Sequence, residues 1–294
     1  MSFQVRLAET LFPGEPGIYR FYSAENELIY VGKAKNLRRR LAQYANAKRR
    51  KAHAKMKKIL KDAHRVEFEV CANEFEALGL ETRWIQKHRP KWNVVGAFYF
   101  LYPLLGLRIH EGHLYLCYTT SPSQFPKFSF HGAYRSRRKT KDAYFALLEL
   151  LTLIGHRMSK PQLRKEQMET PSNKIGYVSG FRQVPAEWMA QLENFLNGTS
   201  FSAIEELSVL LLDRPAATLN SSETQGQLRE MRKFWRHEIQ ALKRACLHSK
   251  WKEYPVAQKD RDLIFIALKS KGEFNFDERE ECIIIEDLRT KATA

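Results

Sequence analysis

The chain has 294 residues, enough for two ordinary domains or one large one with a real apolar core. Its 49 Lys and Arg against 33 Asp and Glu give a formal net charge of +16, which points to a polyanionic partner, nucleic acid or an anionic membrane surface, because clustered cations displace counterions from phosphates. The four cysteines, Cys71, Cys117, Cys246 and Cys282, lie far apart without a CxxC pair, so neither a zinc site nor a disulfide framework is expected, and a reducing cytoplasm fits best. The N-terminal MSFQVRLAETLFPGEPG lacks the pattern of a signal peptide. The longest apolar run, Val94 to Leu107, is too short to span a bilayer and is broken by Gly96, Pro103 and Gly106.

Along the chain, GIYRFYSAENELIYVG predicts a hairpin of Ile18–Tyr22 and Leu28–Val31 around the polar turn Ala24–Glu27. Asn36 can cap a helix in which Leu37, Leu41 and Tyr44 recur at helical spacing. A second helix, Lys48 to His64, turns Met56, Ile59 and Leu60 to the core. Arg65 to Cys71 alternates charged and apolar residues as a third, half-buried strand. From Asn73 a helix carries Phe75, Leu78, Trp84 and Ile85, and it must end near His88-Arg89 because Pro90 disfavours helical geometry in the residue before it. The first ~95 residues thus form a compact α/β unit. Strands follow at Leu107–His110, Leu114–Thr119 and Lys127–Phe130, then a helix at Thr140–Ile154. Arg157 to Ser179, rich in Lys, Gln, Ser and Pro, reads as a connector. Helices are predicted at Ala186–Leu196, Ala203–Leu212 and Glu223–Trp251, and Asp262–Leu268 with Glu281–Leu288 as a small closing hairpin. No internal repeat is present.

Three blocks carry the chemistry: PGIY (Pro16–Tyr19), IYVGKAKNLRRRL (Ile29–Leu41) and LETRWIQKHRPKWN (Leu80–Asn93). In this order and spacing they resemble the signature blocks of the GIY-YIG nucleases, and KAKNLRRRL and RPKWN resemble specifically the UvrC branch. The resemblance implies an α+β fold. A nuclease domain over 1–97, a three-stranded antiparallel sheet flanked by helices, would precede a strand and helix extension (98–156), a connector (157–180) and a mainly helical region with a terminal hairpin (181–294). It also implies hydrolysis of a DNA phosphodiester with one divalent cation, Mg²⁺ or Mn²⁺.

Such a reaction needs a base, charge neutralisation at the phosphate and stabilisation of the leaving oxygen. On spacing alone Glu81 is a solvated helix carboxylate; the matching block implies that it holds the metal, a hard ion content with one carboxylate plus waters and phosphate oxygens. Tyr19 and Tyr30 sit on adjacent strands, where a tyrosine is ordinarily a core residue with a polar tip; the resemblance makes both catalytic. An ordinary tyrosine titrates near ~10, so a tyrosine base needs positive neighbours, for which Lys33 and the metal are candidates. Which tyrosine takes the proton stays open. Arg40 matches the arginine that contacts the scissile phosphate, and Arg38 and Arg39 would touch flanking DNA. Tyr44 and Asn93 match active-site positions and are equally well read as packing. Lys33 to Arg65 holds fourteen basic residues and one acid, Asp62. This run is either a solvated helix face or, beside such a site, a DNA track that includes Lys35, Lys55, Lys57, Lys58 and Lys61.

Beyond the nuclease blocks, FHGAYRSRRKTKDAYFALLELL (Phe130–Leu151) is similar to the UvrC segment after its nuclease domain, and the stretch from Phe195 resembles the part leading to the UvrB-binding hairpin. There are departures. Phe98-Tyr99-Phe100 replaces a charged stretch, Arg157–Ser179 lacks the family's cysteine cluster, and the UvrB-binding pattern is degraded in Glu223–Trp251. The chain ends before a second, RNase-H-like nuclease domain, as in the short Cho branch that makes only the 3′ incision. The expected function is incision of damaged DNA in nucleotide excision repair on the 3′ side of the lesion. DNA and a UvrB-like protein are the expected partners, in a bacterial cytoplasm near the nucleoid, with no membrane and no small-molecule substrate. The competing readings are a catalytically weak DNA-binding module of the same fold and a nuclease for branched or foreign DNA.

Overall fold

Ile18, Tyr19, Arg20 and Phe21 are all buried, a continuous run that fits a strand covered on both faces. This strand, β1 (Gly17–Tyr22), is the centre of a three-stranded antiparallel sheet, flanked by β2 (Leu28–Ala34) and β3 (Arg65–Val70). The structure is a computed structural model and describes residues 7, 11–46, 54–94, 97–168 and 175–270. It divides into one unit of Met1–Tyr99 with Asp262–Ala294 and a second of Phe100–Arg261.

In the first unit, α1 (Leu37–Ala45) and α2 (Ala54–Asp62) bury Leu37, Leu41, Tyr44 and Ile59 in one cluster with Tyr19, Phe21 and Tyr30. On the other face α3 (Glu74–His88) sets Ala77, Leu80 and Trp84 against Ile18. The caps are those expected: Asn36 Oδ1 accepts from Arg39 N at 2.8 Å and Asn73 Oδ1 from Glu76 N at 2.9 Å. The last turn of α3 closes at Arg89, in the left-handed region at φ 47° just before Pro90. Arg20 is buried between Glu67 (3.4 Å) and Glu69 (3.5 Å) with its guanidinium 4.3 Å from the Trp84 ring centre, so a charge in the core is matched on three sides. The start of the expected second helix, residues 48–53, lies outside the described residues.

The second unit holds a five-stranded antiparallel sheet of β4 (Leu104–His110), β5 (His113–Thr119), β6 (Ser129–Gly132), β7 (His156–Arg157) and β8 (Gly176–Arg182), in the order β6-β4-β5-β8-β7. Helices α4 (Arg137–Ile154), α5 (Lys160–Lys165), α6 (Ala186–Leu196), α7 (Ser202–Leu212), α8 (Pro215–Leu219), α9 (Ser221–Phe234) and α10 (Gln240–His248) accompany it, with a π-helical turn at Trp235–Ile239 between the last two. The helical expectations for 186–251 hold.

Two expectations do not. The supposed connector Arg157–Ser179 contains α5 and enters β8, whose strand character comes from pairing with β5 (Leu116↔Ser179, Leu114↔Phe181) and not from local composition. Leu163 on α5 packs with Met158 and Met168 against Tyr115. Asp262–Leu268, expected as a strand, lies in a helix, α11 (Arg261–Ser270). Leu263, Ile264, Ile266, Ala267 and Ser270 are buried, a helical stripe where a strand would bury alternate residues. The proposed partner strand Glu281–Leu288 lies outside the described residues.

Candidate active site

The β1–β2 register pairs Tyr19 with Gly32 and Phe21 with Tyr30, which puts the three aromatic rings on one face of the sheet. Gly32 is required by that register: a Cβ there would lie 2.4 Å from the Tyr19 hydroxyl, so only glycine lets the ring cross β2. Tyr44, from α1, meets Tyr19 with ring centres 5.7 Å apart and hydroxyls 3.3 Å apart. One helical turn earlier, Arg40 donates from Nε to the Tyr19 hydroxyl at 3.1 Å and from Nη1 to Gln43 Oε1 at 2.9 Å. Lys55 brings Nζ within 5.2 Å of the Tyr30 ring centre.

Exposure separates these phenols. Tyr19 and Tyr44 are 0% and 1% exposed, Tyr30 9%. Burial pushes Tyr19 well above the ordinary tyrosine range, with Tyr44 and Tyr30 adding to the shift and Arg40 opposing it. Burial likewise raises Tyr44, reinforced by the Tyr30 charge. Lys33 does not supply the positive neighbour expected of it. Its register partner is Ile18, on the α3 face, and its Nζ sits 2.6 Å from Glu74 Oε1 while Lys35 takes Glu74 Oε2 at 2.6 Å. The cations beside the phenols are Arg40, at Tyr19, and Lys55, at Tyr30.

On the α3 side of β2, Glu81 Oε1 accepts from the Lys33 backbone N–H at 3.1 Å. Burial raises the Glu81 carboxyl above the usual range, against the pull of the Lys33 N–H and the charges of Lys33, Arg40 and Lys55. The second carboxylate oxygen of Glu81 makes no hydrogen bond or ion pair with a described residue. Among the described residues no group of three or more His, Cys, Asp or Glu could hold an ion. A single part-buried carboxylate with one oxygen uncommitted suits Mg²⁺ or Mn²⁺, ions that keep several waters.

Asn93 is elsewhere engaged. Its Oδ1 accepts from Val31 N and its Nδ2 donates to Val31 O, both at 2.8 Å, so the whole amide serves as one more pairing partner for β2. Trp92 N donates to Ile29 O at 3.0 Å beside it. Asp62, the lone acid of the basic run, accepts from Lys91 Nζ and Trp92 Nε1 and ties α2 to this segment. Of the basic residues, Arg38 donates from Nε to Phe12 O at 2.8 Å. Lys35, Arg39, Lys55, Lys58 and Lys61 are exposed, and Lys57 is half-buried. Sequence reasoning missed Glu74 and Gln43; the hairpin register alone could have found the need for Gly32 opposite Tyr19.

The family model for the UvrC-like GIY-YIG domain matches residues 15–94. UvrABC system protein C of Pseudomonas protegens is 30% identical over 237 residues, 74% of this chain and 35% of that protein. The same protein of Alkalilimnicola ehrlichii is 28% identical over 274 residues, 87% of this chain and 40% of that one. That of Cytophaga hutchinsonii is 37% identical over 133 residues, 45% and 20%. The chain thus spans 40% or less of the length of these curated relatives. Among solved structures, the magnesium-bound GIY-YIG N-terminal endonuclease domain of UvrC from Thermotoga maritima matches 32% of this chain and 100% of its own at 40% identity, with a TM-score of 0.28. Among the described residues no helix is long and apolar enough to cross a membrane. Three motif blocks, the sheet that aligns them and the family match over the same stretch agree that residues 15–94 form a UvrC-like GIY-YIG domain.

Proposed function

We propose that this chain is a divalent-metal-dependent DNA endonuclease that hydrolyses a phosphodiester to 5′-phosphate and 3′-hydroxyl ends, and that it incises damaged DNA on the 3′ side of the lesion in nucleotide excision repair. The observation that carries this reading is Arg40 bonded to Tyr19 within the phenol cluster, with Glu81 seated on the Lys33 N–H of the strand that also carries Tyr30. The guanidinium donors not engaged with Tyr19 and Gln43 would hold a phosphate beside the phenols. Tyr19 fixes the orientation of Arg40, and Tyr44 fixes Tyr19. Both are held neutral by burial. Tyr30, the least buried of the three, is assigned as the general base, its phenolate form taking the proton of the attacking water to become the phenol. A cation bound at Glu81 would supply the positive charge for the phosphate and the leaving 3′ oxygen. Asn93 positions rather than reacts, since it holds the segment of β2 that presents Tyr30 and the Lys33 N–H.

Lesion recognition would come from a UvrB-like partner in the bacterial cytoplasm. The test is incision of a lesion-bearing duplex in Mg²⁺, with and without UvrB and its loader UvrA, mapped to the nucleotide. The expected product is a Mg²⁺-dependent cut at a fixed distance 3′ of the lesion. A cut 5′ of it would overturn the assignment of side, and no cut on any loaded substrate would overturn the nuclease reading.

A further inference from the structure

The second unit carries a charged corner that this mechanism does not use. Arg135, Arg137, Arg138 and Lys139, around the start of α4, are all exposed, and Lys141 follows with Nζ 3.0 Å from the Tyr177 hydroxyl. Against these five cations stands Asp142, 4.0 Å from Arg138. Arg135, Arg137 and Lys139 make no ion pair with a described residue. The first turn of α4 contains no acid, although the helix dipole favours acids there and is opposed by cations. Helix stability therefore does not account for the arrangement.

The corner is also held firmly from beneath. Glu238, 5% exposed and set in the π-helical turn, accepts at Oε2 from Arg135 N at 2.7 Å and Ser136 N at 3.4 Å. Ser136 Oγ accepts from Lys139 N at 3.2 Å, and the buried Tyr134 packs edge-on against Phe234 with ring centres 4.9 Å apart. A buried carboxylate, a helix cap and an aromatic anchor thus fix the backbone that carries these cations, of which Arg135, Arg137 and Lys139 make no ion pair with a described residue. Preorganised, uncompensated positive charge suits a polyanion, since little ordering is lost on binding and counterions are released.

We infer that this corner is a second contact for the nucleic-acid backbone, taking phosphates through Arg135, Arg137, Arg138 and Lys139 without reading bases. The inference rests on the proposal that the substrate is DNA. Its test uses the full chain in EDTA, where no cleavage is required. Binding of a nicked duplex and of a single strand of equal length is followed over a salt series for wild type and for R135Q/R137Q/R138Q/K139Q. The log–log salt slope should fall by roughly 3 to 4 on duplex, at about 0.9 per phosphate, or by about 3 on single strand, at about 0.7 each. Each loss divided by its per-phosphate factor counts the contacts, and the larger count names the form that the corner holds. Turnover at saturating DNA with Mg²⁺ should be unchanged. If the fourfold variant fails to fold, R137Q and R138Q should each remove about one contact.

A slope equal to wild type on both DNAs overturns the inference. So does a variant with normal DNA binding that loses an acidic protein partner, which would make the corner a protein-docking face. An inactive wild type whose slope still depends on these residues would sink the nuclease reading alone, and an active one with an unaltered slope would sink this inference alone.

Discussion

The two units dispose their inward-facing polar groups in opposite ways. In the second, side chains mostly bond to backbone: Glu238 to the N–H groups of Arg135 and Ser136, Tyr134 and Tyr254 to the Leu196 carbonyl, and the Gln258 amide to the carbonyls of Phe100, Tyr102 and Thr120. Such bonds close loops. In the first, Arg40, Tyr19 and Tyr44 bond to one another, and Glu81 keeps an oxygen uncommitted. Polar groups that partner each other with donors and acceptors left over are where a substrate can enter. Asn93, like Arg38 at the Phe12 carbonyl, follows the second unit's pattern, since both ends of its amide are given to Val31.

The sharpest way to break this comparison is at Glu81. Glu81→Gln should lower Mg²⁺-dependent cleavage by about 10³-fold, the upper scale for losing one charge-stabilising group, while DNA affinity measured in EDTA stays near wild type. Cleavage within tenfold of wild type would remove Glu81 from the metal. Next come the residues that build the phenol cluster. Tyr19→Phe and Tyr30→Phe should each cut turnover about 100-fold with the fold intact, because the rings still pack. Gly32→Ala should do so too and destabilise the chain by about 1–3 kcal/mol in denaturant titration, since its Cβ meets a ring that has nowhere to go. Normal turnover in all three would make the cluster mere core.

Smaller effects separate positioning from structure. Asn93→Ala leaves the Val31 N–H and carbonyl without their partner and should cost about 1–3 kcal/mol of stability together with activity, because β2 carries Tyr30. Glu238→Ala should cost a similar amount through the N–H groups that it leaves, yet spare turnover at saturating DNA. Equal losses of activity in the two variants would erase the distinction between the units.

Legibility in the sequence followed the range of the interactions. The hairpin, the Asn36 and Asn73 caps and the helix end before Pro90 are set by residues within a few positions, and all were readable. β8 was not, because its strand character comes from β5, far back in the chain, while its preceding residues have the composition of a loop. In α11, Ile264 and Ile266 invite a strand reading, and only the burial of 263, 264, 266, 267 and 270 decides for helix. The candidate residues Tyr19, Tyr30, Arg40 and Glu81 could be named because motif spacing survives without a structure. The role of Asn93 was hidden because its partner Val31 lies 62 residues away. The pairing of Lys33 with Glu74 was hidden by the register that turns Lys33 from the phenols.

The subtlest test concerns the cost of keeping Glu81 ready for a cation. Burial raises its carboxyl above the ordinary range, so the folded chain holds that proton more tightly than the unfolded chain. The group's contribution to stability is therefore fully present below the unfolded value of ~4.3 and is lost as pH rises through the raised folded value. At neutral pH without metal, the charged carboxylate works against folding. Glu81→Gln keeps an oxygen for the Lys33 N–H and removes the charge, so in EDTA near pH 7 it should melt a few degrees above wild type, with the gap narrowing as pH falls toward 4. Mg²⁺ should raise the wild-type Tm and leave the variant unmoved, because only the carboxylate links metal binding to folding. Thermal melts across pH, with and without Mg²⁺, read all of this directly. A variant that melts below wild type at neutral pH in EDTA would mean that Lys33, Arg40 and Lys55 already satisfy the charge, and Glu81 would then belong with the loop-closing polar groups of the second unit.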